Sequence, residues 1–282
     1  MTASPTRRSG DELSDLQFSR VACLLHEHFG IDLPEHKRAS ISRRLNTVFR
    51  GSSSPSFDLF FAESLGAPPD FGVLSELIDK ASTNHTYFWR EPEHFKLFSE
   101  VVLPELARRL SHEQDLRIWC AAAATGEEPV TLALLAMDYF RFKGAGWRCG
   151  VLATDISASA LEHARAGLWS SENVLRLPVR LRRHFRQAGP AHMRLVEHAA
   201  NELTWRRLNL VAQAYPFQRK MHVVFCRNVL IYFDKETKAA VIERIHDVVA
   251  PGGWLFLSHS ETIGRDSVFE YVQPGVYRRR TS

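Results

Sequence analysis

The sequence predicts an α/β fold in which a small helical domain precedes a larger domain with a parallel sheet. After residue 92, apolar segments of strand length alternate with longer segments at helical spacing, which is typical of a parallel sheet with helices on both faces. Before residue 82, only helical spacing occurs. The 282 residues are 45% hydrophobic and 24% charged, a globular composition with room for two domains.

The N-terminal part is expected to be helical. Residues 1–13 are polar, so we expect a disordered tail there, and residues 14–82 are expected to form the helical domain. Apolar residues recur at helical spacing from Phe18 to Phe29 and again from Ala39 to Phe49, with a glycine following each run. Two more short helices are expected, over 55–65 and 70–82.

Positive charge is concentrated in and around the helix expected from Ala39 to Phe49. Five basic residues fall within fourteen positions, and two pairs of them are seven residues apart, which gives the helix a broad basic face. Such a face is either a solvated surface or a docking site for an acidic partner or a nucleic acid. The nucleic-acid alternative is weaker because no aromatic residues for base stacking lie among the charges. The five residues are Lys37, Arg38, Arg43, Arg44 and Arg50.

The larger domain is expected to span residues 83–282. Its alternation breaks between about 168 and 205, where apolar residues are few and arginine and histidine are frequent. We interpret that stretch as an inserted small β-subdomain. The expected helices are at about 92–110, 127–141, 157–166 and 234–249, and the expected strands at 116–120, 151–155, 222–226 and 254–258.

The loop after the first strand is a candidate ligand site, because open α/β sheets bind ligands at the carboxyl ends of their strands. Small residues run from Cys120 to Gly126, and they let a backbone approach a ligand closely. The loop lacks the Gly-x-Gly-x-x-Gly pattern, and the acids that follow it, Glu127 and Glu128, would repel a pyrophosphate. They either attract a cation, such as the ammonium of a methionine group, or simply offset the helix dipole.

Asp155 stands at the tip of the second strand. An acid in this position accepts hydrogen bonds from ribose hydroxyls in dinucleotide-binding sheets, although Asp is also a common N-cap for the helix that follows. The acid and the small-residue loop together indicate an adenosine cofactor. Because phosphate-binding glycines are missing from the loop, S-adenosylmethionine (SAM) fits better than NAD.

Two further segments are rich in polar and aromatic residues. Residues 83–91 include an amide, hydroxyls, aromatic rings and Arg90, which either holds a substrate carboxylate or belongs to an ordinary domain junction. Residues 225–234 place an Arg-Asn pair after a central strand, with Tyr232 a few positions on. Polar groups at such an end either line a site or cap a helix.

Taken together, these segments resemble the chemotaxis receptor methyltransferases of the CheR family, and the resemblance covers nearly the whole chain. It rests on five motifs in the family's order, with Trp89 in place of the usual Phe and Val130 in place of the usual Tyr. The motifs are Thr83-Asn84-x-Thr86-x-Phe88-Trp89-Arg90-Glu91, Ala123-Ala124-Thr125-Gly126-Glu127-Glu128-Pro129, Ala153-Thr154-Asp155-Ile156, Cys226-Arg227-Asn228-Val229-Leu230-Ile231-Tyr232-Phe233-Asp234 and Gly252-Gly253-x-Leu255-Phe256-x-x-His259-Ser260-Glu261.

The resemblance implies a class I SAM-dependent methyltransferase sheet with an N-terminal helical domain and an inserted β-subdomain. It implies methyl transfer from SAM to glutamate side chains of methyl-accepting chemoreceptors, with S-adenosylhomocysteine as the product. Arg90 and Tyr232 are implied to lie closest to the transferred methyl, and no metal is expected. The implied cofactor contacts are Asn84, Thr86, Arg90, Glu128 (or its neighbour Glu127), Asp155, Asn209, Leu210, Cys226, Arg227 and Asn228.

The resemblance also implies the partner, which is the cytoplasmic helical domain of a chemoreceptor docked on the basic second helix. Only Gly189-Pro190 marks the centre of the insertion, where members that grip a receptor peptide have more glycines, so a tethering peptide is not expected. We expect a cytoplasmic monomer with no nucleic-acid partner and no membrane insertion. The four cysteines are far apart, no secretory signal is recognisable, and no apolar run approaches the roughly 18 residues of a membrane span.

Two other functions fit the residues less well. A methyltransferase of the same fold acting on a nucleic acid or a small molecule agrees with the net charge of +4 and the pI near 9.0, but not with the N-terminal resemblance. A SAM-binding adaptor without catalysis would leave Arg90, Asp155 and Tyr232 without a reason to be present together.

Overall fold

The computed structural model describes residues 13–33, 35, 38–51, 54–56, 59–60, 85–141, 146–264 and 267–281. The chain divides into two compact units, Met1–Thr83 and Asn84–Ser282. The helices expected over 55–65 and 70–82 lie almost entirely outside the described residues. The expected tail does too, except for Leu13, which is buried and donates its backbone N–H to Ser42 Oγ at 3.2 Å.

The first unit contains the two helices that the apolar spacing predicts, α1 (Asp15–Phe29) and α2 (Arg38–Gly51). A capping box of Ser14 and Gln17 starts α1, and Gly30 ends it with a φ of 65°, a conformation that glycine adopts without strain. The predicted apolar positions of α1 are buried, as are Ile41 and Leu45 of α2. The amphipathic pattern therefore accounts for both helices.

The second unit begins with a helical stretch and continues as an alternation of strands and helices. The stretch consists of α3 (Pro92–Leu97), a π-helical turn (Phe98–Val102) and α4 (Leu103–Arg109). The elements of the alternation are β1 (Ile118–Cys120), α5 (Glu127–Phe140), β2 (Val151–Asp155), α6 (Ala158–Ala166), β3 (Leu168–Ser170), α7 (Ser171–Val174), α8 (Val179–Arg182), β4 (Phe185–Gln187), β5 (His192–Leu195), α9 (Glu197–Ala200), β6 (Leu203–Arg207), β7 (Met221–Phe225), α10 (Lys235–Val248), β8 (Val249–Phe256), β9 (Phe269–Gln273) and β10 (Val276–Arg279).

The central sheet has seven strands in the order β6-β2-β1-β7-β8-β10-β9. The first five strands of this order pair in parallel, and β10 pairs antiparallel with both β8 and β9. The chain proceeds outward from β1 through β2 to β6, and then returns to β7 on the other side of β1. Strand order therefore reverses at β1, and the carboxyl ends of β1, β2 and β7 meet where a ligand is expected.

The interval interpreted as an insertion holds a separate three-stranded antiparallel sheet, ordered β3-β5-β4. The small sheet ends at Leu195, earlier than the expected boundary near 205, because β6 pairs in parallel with β2 as the edge of the central sheet. Polar and charged side chains alternate with apolar ones along β6, as on an edge strand. The sequence pattern therefore did not indicate that β6 belongs to the central sheet.

The last expected strand also differs from the prediction. β8 begins at Val249 rather than at 254, and its pairing with β7 is irregular around the Pro-Gly-Gly turn. Aromatic side chains fill the core on this side of the sheet, where the ring of Phe225 stacks on that of Phe256 with centroids 4.3 Å apart. Among the described residues, no helix combines the length and the apolar character that crossing a membrane requires.

Candidate active site

The loop between β1 and α5 is shaped by one glycine. Gly126 has a φ of 98°, and a Cβ added there would lie 2.8 Å from Ala164 Cβ and 3.0 Å from the ring of Trp205. The loop is therefore pressed against α6 and β6, and any larger residue meets both a strained backbone and a steric clash. Ala124, in the same loop, also has a positive φ of 44°. The small residues were expected to let the backbone approach a ligand closely. Gly126 instead lets the loop pack closely against α6 and β6 of the protein itself.

Asp155 fastens this loop to the end of β2. Its Oδ2 accepts the backbone N–H of Ala124 at 2.7 Å, and its Oδ1 accepts that of Ser157 at 2.9 Å. The N-cap role that was the alternative for Asp155 belongs to Ser157, whose side chain accepts the N–H of Ala160. Asp155 is buried at the end of β2, where both of its carboxylate oxygens face the loop and the start of α6.

Glu127 at the start of α5 is buried and Glu128 is partly buried, and they have different partners. Glu127 accepts hydrogen bonds from Thr125 Oγ1 at 2.7 Å and from Asn173 Nδ2 at 2.9 Å. Glu128 forms an ion pair with Arg227 at 2.6 Å and accepts the Cys120 thiol at 3.3 Å. Burial raises the pKa of each carboxyl, and for Glu128 the guanidinium of Arg227 opposes that shift. Only Glu128 therefore lies at the junction of β1 and β7.

Arg227 is the centre of a buried ion-pair cluster after β7. Its side chain is 1% exposed and pairs with both Glu128 at 2.6 Å and Glu91 at 2.9 Å. The guanidinium also donates to the carbonyl of Arg90 at 2.8 Å and lies over the ring of Phe95. Arg227 Nε is buried and has no hydrogen-bond partner among the described residues, so the cluster retains a donor for one more acceptor.

The segment before α3 is held in an unusual conformation by this cluster. Trp89 and Glu91 have positive φ values of 65° and 57°, which non-glycine residues rarely adopt. Burial alone would raise the pKa of Glu91, but Arg227 holds it below its usual value. Arg90 is half-buried, and its guanidinium donates to the carbonyl of His85 at 3.0 Å. The backbone carbonyl of Arg90 is thus held by the cluster, while its side chain contacts the carbonyl of His85.

The remaining residues expected from this segment are less well defined. Thr86 is half-buried, whereas Asn84 lies outside the described residues. Asn173, from the insertion, accepts the N–H of Phe88 at 3.0 Å and donates to Glu127. One amide side chain therefore connects the insertion to both the segment before α3 and the start of α5.

Glu261 orders the loop that follows β7. It is 2% exposed and accepts the backbone N–H groups of Asn228 at 2.9 Å, Ser258 at 2.9 Å and Ile231 at 3.3 Å. Asn228 takes a positive φ of 58°, after which the chain forms a short 3₁₀ turn, Leu230–Tyr232. Tyr232 is half-buried at the end of that turn. A buried acid with three backbone donors thus fixes the position from which Tyr232 projects.

The other expected cofactor contacts follow the same edge of the sheet. Cys226 is fully buried, and burial raises the pKa of its thiol well above the usual value. Asn209 follows β6 and accepts the N–H of Val211 at 3.1 Å, and Leu210 beside it is buried. All these residues lie after the carboxyl ends of parallel strands.

The basic face of α2 divides into an internal and an exposed part. Arg38 pairs with Asp15 at 2.6 Å and with Glu35 at 3.0 Å, and its side chain is only 22% exposed. Arg43 and Arg50 are exposed. Lys37 lies outside the described residues, and the side chain of Arg44 is not described. Arg38 therefore contributes to the packing of its own unit.

Three residues of the site escaped the list of expected contacts. Glu91 and Glu261 both belong to the quoted motifs. Glu91 follows Arg90 and Glu261 follows the end of β8, and either position could have indicated a site residue. Asn173 lies in a stretch without periodicity or motif, and only its contacts reveal it.

Both units of the chain match models of one known protein family. Residues 84–277 match the family model described as CheR methyltransferase, SAM binding domain, and residues 16–63 match CheR methyltransferase, all-alpha domain. A chemotaxis protein methyltransferase of Borreliella burgdorferi is 33% identical, over 93% of this chain and 94% of that protein. Another from Escherichia coli is 36% identical, over 88% of this chain and 85% of that protein.

Proposed function

The chain belongs to the CheR methyltransferase family and is a SAM-dependent methyltransferase, and from this premise we propose that it methylates glutamate side chains of methyl-accepting chemoreceptors. The observation that carries the proposal is the cluster of the buried Arg227 with Glu128 and Glu91, which holds the backbone carbonyl of Arg90 at the carboxyl end of a central strand. A half-buried arginine in a preorganised setting suits a substrate that is itself a carboxylate. The product is a glutamyl methyl ester.

The chemistry of the donor set fits SAM. We propose that Asp155, which lies at the end of β2 beside the loop after β1, accepts from the ribose hydroxyls, and that Glu128 lies by the methionine end. The uncommitted Nε of Arg227 suits an additional acceptor, and a methionine carboxylate is one. The other proposed contacts are Asn84, Thr86, Arg90, Asn209, Leu210, Cys226 and Asn228. When bound, SAM supplies a methyl group made electrophilic by the sulfonium.

The proposed roles of Arg90 and Tyr232 are to position the substrate. A glutamate side chain is already ionised at pH 7, so the protein needs no general base. Water must instead be removed from the carboxylate, and its oxygen must be aligned for in-line displacement. Arg90 orients the carboxylate and Tyr232 holds its second oxygen. Too strong an arginine contact would weaken the nucleophile, and the hydrogen bond from Arg90 to the His85 carbonyl limits that contact.

We further propose that the partner is the cytoplasmic helical domain of a receptor and that the enzyme acts in the cytoplasm as a monomer. The exposed Arg43 and Arg50 of α2 suit an acidic surface, and Lys37 and Arg44 belong to the same proposed face. Arg38 is the weakest member, because its charge is paired within its own unit. In this proposal the surface binds the receptor, and Arg90 and Tyr232 position the glutamate side chain.

The test is transfer of a labelled methyl group from SAM to purified chemoreceptor cytoplasmic fragments, followed by mild alkali. Alkali hydrolyses a glutamyl ester and releases labelled methanol, whereas N-methyl and S-methyl products survive. We expect label that is incorporated and then released. Matched fragments in which the acceptor glutamates are alanine should take up none. Alkali-stable label, or incorporation into RNA instead of receptor, would contradict the proposed substrate.

A further inference from the structure

Two imidazoles and one carboxylate lie together next to the ion-pair cluster, and the imidazoles have no part in the proposed reaction. They belong to Glu91, His94 and His259, and one potential ligand atom from each lies within 4.8 Å of the others. The ring centroids of His94 and His259 are 4.5 Å apart, and His94 Nδ1 is 3.5 Å from Glu91 Oε2. Imidazole nitrogen and carboxylate oxygen are the donors that zinc and related transition ions take from proteins.

The surroundings of His94 leave one of its nitrogens with an unfavourable neighbour. The ring is fully buried, with Nε2 3.5 Å from the carbonyl of Pro274 and Nδ1 facing Glu91. A neutral imidazole has only one N–H, yet both its nitrogens face oxygen acceptors. Nδ1 has no hydrogen-bond partner among the described residues. If Nε2 carries the proton toward Pro274, the lone pair of Nδ1 points at a carboxylate, and a cation between them relieves that repulsion.

The neighbouring Arg227 does not exclude a cation. Its guanidinium is shared between Glu91 and Glu128, so the three groups together carry one formal negative charge. His259 is exposed, and it therefore gives an ion a path from solvent to the buried ring of His94. Three protein ligands leave the fourth position of a tetrahedral ion to water, as in three-ligand zinc sites.

We propose that Glu91, His94 and His259 form a binding site for a divalent transition ion such as Zn²⁺. An ion held by Glu91 competes with Arg227 for the same oxygen, Oε2, which lies 2.9 Å from the guanidinium. Weakening that ion pair releases the backbone that places Arg90, because Arg227 also donates to the Arg90 carbonyl. The bound ion therefore acts as an inhibitor of methyl transfer and not as a catalytic cofactor.

Calorimetric titration of Zn²⁺ into the full-length, tag-free protein, without SAM, tests binding directly. We expect one equivalent to bind, with an affinity at least tenfold lower in His259→Gln. That residue is exposed, so its replacement does not disturb the core. His192→Gln is the matched control, because His192 is an exposed histidine on β5, outside the cluster, and it should bind as the wild type does. Binding that His259→Gln leaves unchanged, or no binding below about 100 µM, would overturn the site.

Two further readouts are needed. One distinguishes an ion bound at this site from an ion bound elsewhere on the surface, and the other tests whether the ion inhibits methyl transfer. Co²⁺ should give a visible d–d absorption band at one equivalent in the wild type, and His259→Gln should lose that band. In the methyl-transfer assay, Zn²⁺ should inhibit the wild type and spare His259→Gln, each measured against its own rate without metal. Equal inhibition of both proteins would refute the inhibitory role. The titration and the Co²⁺ band need no receptor, so they stand even if the proposed substrate is wrong.

Discussion

The carboxyl ends of β2 and β7 flank β1 on either side, and they hold their loops by different forces. At the end of β2, the Asp155 carboxylate accepts two neutral backbone N–H groups. At the end of β7, the Arg227 guanidinium is buried between two carboxylates. Neutral donors fix the shape of a loop at little electrostatic cost. Buried ion pairs fix it only while every member is present, because an unpaired buried charge is strongly unfavourable.

The largest effect is expected from Arg227→Met, which leaves Glu128 and Glu91 without their cation. Breaking a buried pair in this way costs about 3–5 kcal/mol, so the free energy of unfolding should fall by that amount in urea denaturation. Arg227→Lys keeps a charge and should lose less. If Arg227→Met lowered stability by under about 1 kcal/mol, the cluster would not hold the loop as described.

Turnover should respond most to residues near the carboxyl end of β7, where the ion pairs of Arg227 lie. Tyr232→Phe removes the proposed hydrogen bond to the substrate carboxylate, and we expect kcat to fall about 100-fold while the dissociation constant of SAM is unchanged. Arg90→Lys should likewise lose most of its turnover, since a lysine cannot reproduce the geometry of the guanidinium. Tyr271→Phe, at a tyrosine that is 61% exposed on β9, serves as the matched control. Full turnover in either active-site variant would remove that residue from catalysis.

Steric fit determines the stability of the loop between β1 and α5, which Asp155 fastens to the end of β2. Gly126→Ala should lower the free energy of unfolding by about 2–3 kcal/mol, because it combines a positive φ with a Cβ contact of 2.8 Å. Gly150→Ala is the matched control, since a Cβ there meets nothing within 4 Å, and it should stay within about 0.5 kcal/mol. Thermal or urea unfolding of the two variants measures the difference. Equal stability would mean that the loop is not pressed against α6.

Asp155→Asn tests the neutral donors themselves. An asparagine has one acceptor oxygen, so one of the N–H groups of Ala124 and Ser157 would face an amide NH₂ instead. We expect a loss of about 1–2 kcal/mol in stability and a weaker affinity for SAM, measured by calorimetry. In Asp234→Asn, where the acid is an ordinary N-cap accepting from Thr237, stability should be nearly unchanged. An unchanged SAM affinity in Asp155→Asn would speak against the ribose contact.

The smallest effect contrasts an acid held by neutral donors, Glu127, with one paired with an arginine, Asp138. Burial raises the folded-state pKa of Glu127 above its unfolded value, so its charge costs stability at neutral pH and protonation relieves the cost as pH falls. Asp138 has its pKa lowered, against the effect of burial, by His184 and Arg183, so its contribution is present at neutral pH and fades in acid.

These opposite signs are measurable by urea unfolding between pH 7 and pH 4. The wild type should gain stability relative to Glu127→Gln as pH falls, and it should lose stability relative to Asp138→Asn toward the acid end. The same trend in both pairs would show that burial, and not the type of donor, determines the behaviour of these acids.

Much of the fold was readable because its elements depend on local pattern. The apolar spacing of α1, the glycine that ends it and the strand that ends at Asp155 all match the structure. β6 was missed because it is an edge strand in which polar and charged residues outnumber apolar ones. The antiparallel β9 and β10 were missed because their pairing is set by tertiary contacts.

In the site, motifs predicted positions but not partners. The sequence places Glu128 and Arg227 after neighbouring strands, yet their ion pair depends on the register that aligns Cys120 with Phe225. Asn173 had no local signal, because it acts through two contacts that are 85 and 46 residues away along the chain. Long-range contacts of this kind follow from topology, which a local pattern does not contain.

The crystal structure of the complex with S-adenosylhomocysteine tests the central claim most directly, which is that the cofactor spans both strand ends. We predict that the ribose hydroxyls lie within hydrogen-bond distance of Asp155 and that the methionine end lies beside Glu128 and Arg227. The sulfur should face Arg90 and Tyr232. A ligand bound elsewhere, or one whose ribose does not contact Asp155, would contradict the account.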